Sequence, residues 1–291
     1  MELLYLGTSA AEGAPALFCE CDFCKYARAV GGREIRTRSG SLLDGRLKLD
    51  FGPDSLKQML DNGLDYTFLR SVLITHSHPD HLSPSDVACR RRGYAQMRED
   101  APPLTGYGNE RVGDLIAPYT GRDVEFVRMI PFEPRQIEGY TVTALEALHM
   151  VNESSGKYPV SFRGKVHTRD EEALIYLVEK DGESQLYAHD TGGLTDRNLE
   201  YLAGRRLTLV SLDTNDCSWN TGYIGHMSIE RVKEAKQQLL AVGAADGSTV
   251  FVANHFSHNG LIPYEQIQQR LPGFLVSHDG MKVRTGGSLN G

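Results

Sequence analysis

Residues 75 to 82 read Thr75-His76-Ser77-His78-Pro79-Asp80-His81-Leu82, which places three of the ten histidines of the chain next to an aspartate. The preceding apolar run, residues 68 to 74, predicts a buried strand because Val, Leu and Ile are concentrated there. Pro79 interrupts regular backbone structure, so we expect the polar cluster on a turn at the end of that strand. Imidazole and carboxylate groups are common ligands of zinc, manganese and iron, so the stretch predicts a metal site.

The bulk composition is that of an acidic globular protein. The chain has 291 residues, 40% of them hydrophobic, and a formal net charge of −7. Since α/β folds reach this length as one unit, we expect a single domain over residues 1–291. The acidic balance argues against broad electrostatic binding to nucleic acid. It permits a small anionic substrate, because bound metal ions reverse the field inside a pocket.

Membrane and export signals are not visible in the sequence. No apolar run approaches the roughly 20 residues that span a bilayer, and residues 1 to 7 lack the basic start and apolar core of a signal peptide. We therefore expect no membrane partner and a cytoplasmic location.

The five cysteines are unevenly distributed. Cys19, Cys21 and Cys24 are close together, whereas Cys89 and Cys217 stand alone. In a reducing compartment such a cluster favours a bound metal over disulfides. The two isolated cysteines are predicted to be ordinary buried residues.

Further candidate ligands stand where predicted strands end. His76, His149, Asp190 and His255 each follow such a strand or form its last residues, and convergence of these ends would assemble one metal site from four distant segments. Residues 151–170 show no clear period and predict a long loop, which in a compact domain usually means function or mobility. A helix is predicted from Ser85 to Met97.

The order of these residues resembles the metallo-β-lactamase superfamily. The resemblance rests on the cluster from His76 to His81, on the later His149, Asp190 and His255, and on Asp50 at the end of an early strand. It covers nearly the whole chain. It implies a four-layer αββα sandwich of two mixed sheets, with metals bound along one edge.

A narrower resemblance is to the phosphoribosyl 1,2-cyclic phosphate phosphodiesterase family of the carbon–phosphorus lyase pathway. It is carried by residues 7–11, the cysteine cluster, the stretch His255-Phe256-Ser257-His258 and the terminal Asp279-Gly280-Met281. In that family three cysteines and a C-terminal histidine hold a structural zinc, which implies Cys19, Cys21, Cys24 and His258 as ligands here. The cysteine spacing is shared with the pyrroloquinoline-quinone biosynthesis relative, so it does not fix the substrate.

The resemblance also implies two divalent ions in the active site, with zinc, manganese and iron all compatible with the ligand types. His76, His78 and His149 would hold one ion, Asp80, His81 and His255 the other, and Asp190 would bridge them. In such centres a shared water becomes hydroxide near neutral pH and attacks phosphorus, which makes Asp80 a catalytic candidate as well as a ligand. Asp50 is expected to orient a metal ligand.

His226 is the remaining catalytic candidate. In the resembling family a histidine near this position approaches the substrate, where it could contact phosphate or protonate the leaving oxygen. The alternative is a capping or core histidine ahead of the helix predicted from Ile229. His189 neighbours Asp190 on a strand and is predicted to point to the opposite face, where it packs structurally.

These observations predict a metal-dependent hydrolase that cleaves a small cyclic phosphodiester, such as phosphoribosyl 1,2-cyclic phosphate in phosphonate metabolism. Two alternatives remain, a lactonase or other ester hydrolase of the same fold and a non-hydrolytic member resembling the pyrroloquinoline-quinone protein. The cations Lys157, Arg163 and Lys165 either meet an anionic substrate or lie on a solvated loop. We expect no nucleic-acid partner, and a homodimer is compatible with the sequence.

Overall fold

The computed structural model describes residues 1–152 and 155–285, and two seven-stranded sheets form its centre. The strands are β1 (Glu2–Gly7), β2 (Gly40–Leu43), β3 (Leu47–Leu49), β4 (Ser71–Leu73), β5 (Leu104–Gly108), β6 (Val124–Arg128), β7 (Pro134–Ile137), β8 (Tyr140–Glu146), β9 (Tyr158–Phe162), β10 (Lys165–Arg169), β11 (Leu174–Lys180), β12 (Glu183–Ala188), β13 (Leu209–Asp213), β14 (Val250–Asn254), β15 (Leu275–Val276) and β16 (Lys282–Arg284). The α-helices are α1 (Asp22–Val30), α2 (Ser55–Asp61), α3 (Pro84–Ala88), α4 (Glu110–Ile116), α5 (Asp196–Leu202), α6 (Ile229–Ala241) and α7 (Tyr264–Arg270).

Both sheets are mixed. The first has the order β16-β1-β2-β3-β4-β5-β6, and its neighbours from β3 to β6 are parallel. The second has the order β15-β14-β13-β12-β11-β8-β7, and its neighbours from β12 to β15 are parallel. The remaining pairs within both sheets are antiparallel.

Three apolar clusters lie between the layers. One is shared by the inner faces of the two sheets, and it includes Leu47, Leu49 and Tyr176. A second lies between the first sheet and helices α3 and α4, and a third between the second sheet and helices α1, α5, α6 and α7. Three buried interfaces make four layers, which confirms the predicted αββα sandwich.

Strand β3 illustrates how the sequence leads into the metal site. Leu47 and Leu49 alternate into the cluster between the sheets, so Lys48 points to the other face, where it is also fully buried. Its Nζ donates a hydrogen bond of 2.7 Å to the carbonyl oxygen of Asp50. The buried lysine thus supports the backbone at the end of the strand.

Three local predictions were wrong. Residues 158–169 form the hairpin β9–β10 instead of a structureless loop, because Val160 and Phe162 alternate onto Leu148 and the turn occupies Arg163-Gly164. The predicted helix from Ser85 to Met97 ends at Ala88. Cys89, which directly follows this early helix end, is exposed and not buried. The sequence also predicts a frayed tail from Gly286 onward, and this segment lies outside the described residues.

No helix in the described part of the chain is both long and apolar enough to cross a membrane.

Candidate metal centres

Strand ends of both sheets meet at one edge of the sandwich. Asp50 follows β3 directly, His255 follows β14, and Asp190 comes two residues after β12. All three have left-handed backbone conformations, with φ of 58°, 62° and 50°. Such strain is unfavourable for residues other than glycine and concentrates at functional sites.

The first group of side chains consists of His76, His78 and His149, whose candidate ligand atoms lie within 4.8 Å of one another. Nε2 of His149 and Nδ1 of His78 are 3.3 Å apart. Burial lowers the pKa of His149 to about 3 and holds the pKa of His76 well below its usual value. Both rings are therefore neutral at pH 7, which leaves nitrogen lone pairs available for a cation.

The second group consists of Asp80, His81, Asp190 and His255, all of them buried. Oδ2 of Asp190 lies 2.5 Å from Nε2 of His81 and 3.0 Å from Nε2 of His255. Its other oxygen, Oδ1, lies 3.7 Å from Nε2 of His149 in the first group. Asp190 therefore stands between the two groups, as expected of a bridging ligand.

The carboxylates of the second group favour positive charge on the histidines beside them. Burial opposes a charge on His255, but the carboxylates of Asp190 and Asp213 overcome it and raise the pKa of His255 to about 10. In the same way Asp80, Asp50 and Asp190 raise the pKa of buried His81 well above its usual value. The clustered carboxylates therefore favour positive charge at this point of the structure.

Orphaned polar atoms test whether the residues fit metal ions. Four buried atoms make no well-aligned hydrogen bond within the described part of the chain: Nε2 of His76, Nε2 of His81, Nε2 of His255 and Oδ2 of Asp190. Leaving such atoms unsatisfied is costly, and two divalent cations, one in each group, would satisfy all four. Nitrogen and carboxylate donors suit zinc, manganese or iron, so the residues present fit the predicted ions.

Asp50 lies behind His81, where the sequence predicts an orienting group. Its Oδ2 is 2.8 Å from Nδ1 of His81, and its Oδ1 accepts hydrogen bonds of 2.9 Å from the backbone N–H and the hydroxyl of Thr75. These bonds fix the His81 ring with Nε2 turned toward Asp190.

Two supporting carboxylates were missed by the sequence reasoning. Asp213, the last residue of β13, lies 3.2 Å from Nδ1 of His226 and 3.4 Å from Nδ1 of His255 through Oδ2. Glu171 accepts a hydrogen bond of 2.8 Å from the backbone N–H of Ser77. Like Asp190, Asp213 is a carboxylate at the end of a strand, and this position could have identified it from the sequence. No sequence pattern identifies Glu171.

His226 lies beside both groups. Its ring centroid is 4.9 Å from that of His149, and its Nδ1 is 3.6 Å from Oδ1 of Asp190. Asp213 also accepts a hydrogen bond of 3.0 Å from the backbone N–H of Met227. One buried carboxylate therefore fixes both the ring and the backbone of the His226 loop.

The His226 loop passes very close to the Asp190 loop. A Cβ atom on Gly192 would lie 1.5 Å from the carbonyl oxygen of Ile224, so only glycine fits there.

We expect Gly192→Ala to lower the free energy of unfolding by about 1–3 kcal/mol, because either the Asp190 loop or the His226 loop must move. Denaturant unfolding measures the change. Gly247→Ala is the control, since nothing lies within 4 Å of that position, and equal stability of the two variants would contradict the close approach.

A separate group consists of Cys19, Cys21, Cys24 and His258, with ligand atoms again within 4.8 Å of one another. Nδ1 of His258 lies 3.5 Å from Sγ of Cys19 and 3.7 Å from Sγ of Cys21. Three sulfurs and one imidazole are the donor set of a closed tetrahedral zinc site. His258 is three residues from His255, so the stretch between them connects the two candidate centres.

His189 lies outside these groups. It is fully buried, and its Nε2 is 2.7 Å from the hydroxyl of Ser211, which in turn accepts a hydrogen bond of 2.9 Å from the hydroxyl of Tyr5. The chain of contacts joins the two sheets and agrees with the structural role expected of His189.

Two mixed sheets between helices, with metal-binding side chains at the strand ends, define the metallo-β-lactamase class of fold. Residues 47–256 match the family described as beta-lactamase superfamily domain, and the chain belongs to this superfamily.

Individual relatives extend over the whole chain. Coenzyme PQQ synthesis protein B of Methylobacterium radiotolerans is 25% identical in an alignment that covers 97% of this chain and 99% of that protein. Among solved structures, Zn²⁺-bound PqqB from Methylobacterium extorquens has a TM-score of 0.69 at 20% identity, covering 98% of this chain and 100% of that one. A diphosphatase from the PhnP family has a TM-score of 0.68 at 21% identity, covering 97% of each chain.

Proposed function

We propose that the protein is a metal-dependent phosphodiesterase that hydrolyses a small cyclic phosphodiester, such as phosphoribosyl 1,2-cyclic phosphate, with two divalent ions in the active site. The observation that carries the proposal is the pair of ligand groups on either side of Asp190. Two adjacent ions, when bound, neutralise phosphoryl oxygens and make water more acidic. His76, His78 and His149 would hold one ion, and Asp80, His81 and His255 the other, with Asp190 shared.

The residues around the ions would position the substrate and move protons. Asp213 holds the His226 ring through Nδ1 at 3.2 Å, which favours the proton on that nitrogen and orients the ring. His226 is thereby suited to donate a proton to the leaving oxygen or to contact the phosphate. Asp50 and Glu171 keep the His81 ring and the Ser77 backbone in place.

A second candidate is a non-hydrolytic role in cofactor synthesis. It is favoured by the 25% identity to coenzyme PQQ synthesis protein B over nearly the full length of both proteins. The hydrolytic proposal draws support from the complete ligand set and, at the level of fold, from the neighbour named as a diphosphatase.

A hydrolysis panel separates these candidates. The metal-loaded protein is incubated with ribose 1,2-cyclic phosphate, 2′,3′-cyclic nucleotides, a nucleoside diphosphate and lactones, and each product is quantified. We expect the cyclic phosphodiesters to be cleaved fastest. If the diphosphate or a lactone is cleaved fastest, that compound and not a cyclic phosphodiester represents the substrate class. If no compound is cleaved by the protein with both ions bound, the non-hydrolytic role is favoured.

The role of His226 can be tested by the choice of leaving group. We expect His226→Ala to lower kcat about 100-fold or more for a cyclic ribose phosphate, because its alkoxide leaving group needs a proton. For bis(p-nitrophenyl) phosphate, whose leaving group is acidic, we expect a fall of less than about tenfold. Equal losses on both substrates would contradict proton donation and favour a phosphate contact.

A further inference from the structure

A large apolar cavity lies on the helix-covered side of the first sheet, away from the candidate metal ligands. Its volume is about 730 Å³, within the range of sites for small molecules. Phe51, Leu64, Val87 and Leu104 contribute apolar side chains, and Met59 and Met97 add flexible ones that adapt to ligand shape. None of the predicted metal ligands lines it.

Two polar atoms in the cavity wall lack partners. The Tyr66 hydroxyl and Nε of Arg90 are buried and make no hydrogen bond to any described residue. Arg90 donates through Nη2 to the carbonyl oxygen of Pro102 at 2.9 Å. Asp123 acts on its charge from a distance, and Asp65 and Asp86 also line the cavity, but none of the three forms an ion pair with Arg90. Leaving the buried Nε of Arg90 without an acceptor is costly, and a carboxylate matches the planar array of donors of a guanidinium.

We propose that this cavity binds a small amphipathic carboxylate, with its apolar body among Phe51, Leu64 and Val87 and its charged end near Arg90 and Tyr66. The apolar lining supplies the affinity, and the two orphaned donors select the anion. The site is distinct from the metal centres and does not depend on the proposed hydrolytic function.

Phe51 connects the wall of the cavity to the backbone of the metal site. Phe51 directly follows Asp50, its N–H donates to the carbonyl oxygen of His81 at 2.8 Å, and its own carbonyl oxygen accepts from the N–H of Ser83 at 2.8 Å. A ligand that packs against the Phe51 ring would therefore contact the residue next to Asp50, which orients His81.

Calorimetric titration of the metal-loaded protein with decanoate tests the proposal, with decanol as the uncharged match. We expect saturable 1:1 binding of decanoate. Arg90→Met should weaken decanoate about tenfold and leave decanol unchanged, because only the charged contact is lost. Leu64→Trp should weaken binding of both, because the larger ring occupies space that the apolar body of the ligand would take. Leu60→Trp is the control, since Leu60 is 66% exposed and does not line the cavity.

The opposite results would overturn the site. Decanoate that does not bind saturably, or that binds Leu64→Trp as well as Leu60→Trp, excludes the cavity; the second result would point to the metal ions as the binding site. If Arg90→Met weakens the binding of decanoate and decanol equally, Arg90 makes no charged contact with the ligand. A measurement without substitutions guards against misfolded variants. Exposed Cys89 lines the cavity, so bound decanoate should slow its alkylation several-fold, as followed by peptide mass, and an unchanged rate counts against the proposal.

Discussion

Asp190→Ala is expected to abolish hydrolysis of bis(p-nitrophenyl) phosphate, with kcat/KM falling about 1,000-fold or more. The carboxylate lies 2.5 Å from His81, 3.0 Å from His255 and 3.7 Å from His149, so its loss removes a donor from both ligand groups at once. Several kcal/mol of transition-state stabilisation by two metal ions correspond to a rate effect of that size. Elemental analysis of the purified variant should show less than two active-site ions per chain.

The control for Asp190→Ala is Asp61→Ala. Asp61 is an exposed carboxylate at the end of α2 whose one ion pair within residues 1–152 and 155–285 is with Lys57, and such pairs contribute little to stability. We expect full activity and metal content in this variant. An Asp190→Ala protein with a normal rate and both ions bound would rule out the bridging role.

The sequence predicts those site residues that stand in a cluster of ligand types or at the end of an apolar strand. The cluster from His76 to His81 is visible as a run of ligand types, and His149, Asp190 and His255 are visible because each stands at the end of an apolar strand. Asp213 stands at such an end as well, but one carboxylate without a histidine nearby in sequence gives no sign that it will contact His226. That contact is formed only when the loop after β13 folds back on the strand.

The wrong prediction of a loop over residues 158–169 has the same physical origin. Val160 and Phe162 form a strand because Leu148 offers an apolar surface to one face of a short, weakly alternating segment. Neither the surface nor the pairing of β9 with β10 can be inferred from the segment alone. Its cation Arg163 accordingly pairs with Glu234 on α6 and does not reach toward the metal groups.

In the cysteine group, zinc binding and helix capping predict opposite effects of Cys21→Ser on the stability of the protein. Cys21 is exposed and caps the N-terminus of α1, where its sulfur accepts a hydrogen bond of 3.4 Å from the N–H of Cys24. Serine is a preferred residue at this helix position. Without a bound zinc, Cys21→Ser should therefore leave the protein equally stable or slightly more stable.

With zinc bound, we expect Cys21→Ser to lower Tm by about 5 °C or more and to release about one zinc ion per chain. Loss of one thiolate opens a site whose binding free energy contributes to folding, and a few kcal/mol shift Tm by this amount in a chain of this size. Thermal unfolding and elemental analysis measure both effects. Cys89→Ser is the matched control, because Cys89 is also exposed but lies outside the group. An unchanged Tm in Cys21→Ser, together with unchanged zinc content, would mean that the cysteines are reduced thiols in an ordinary loop.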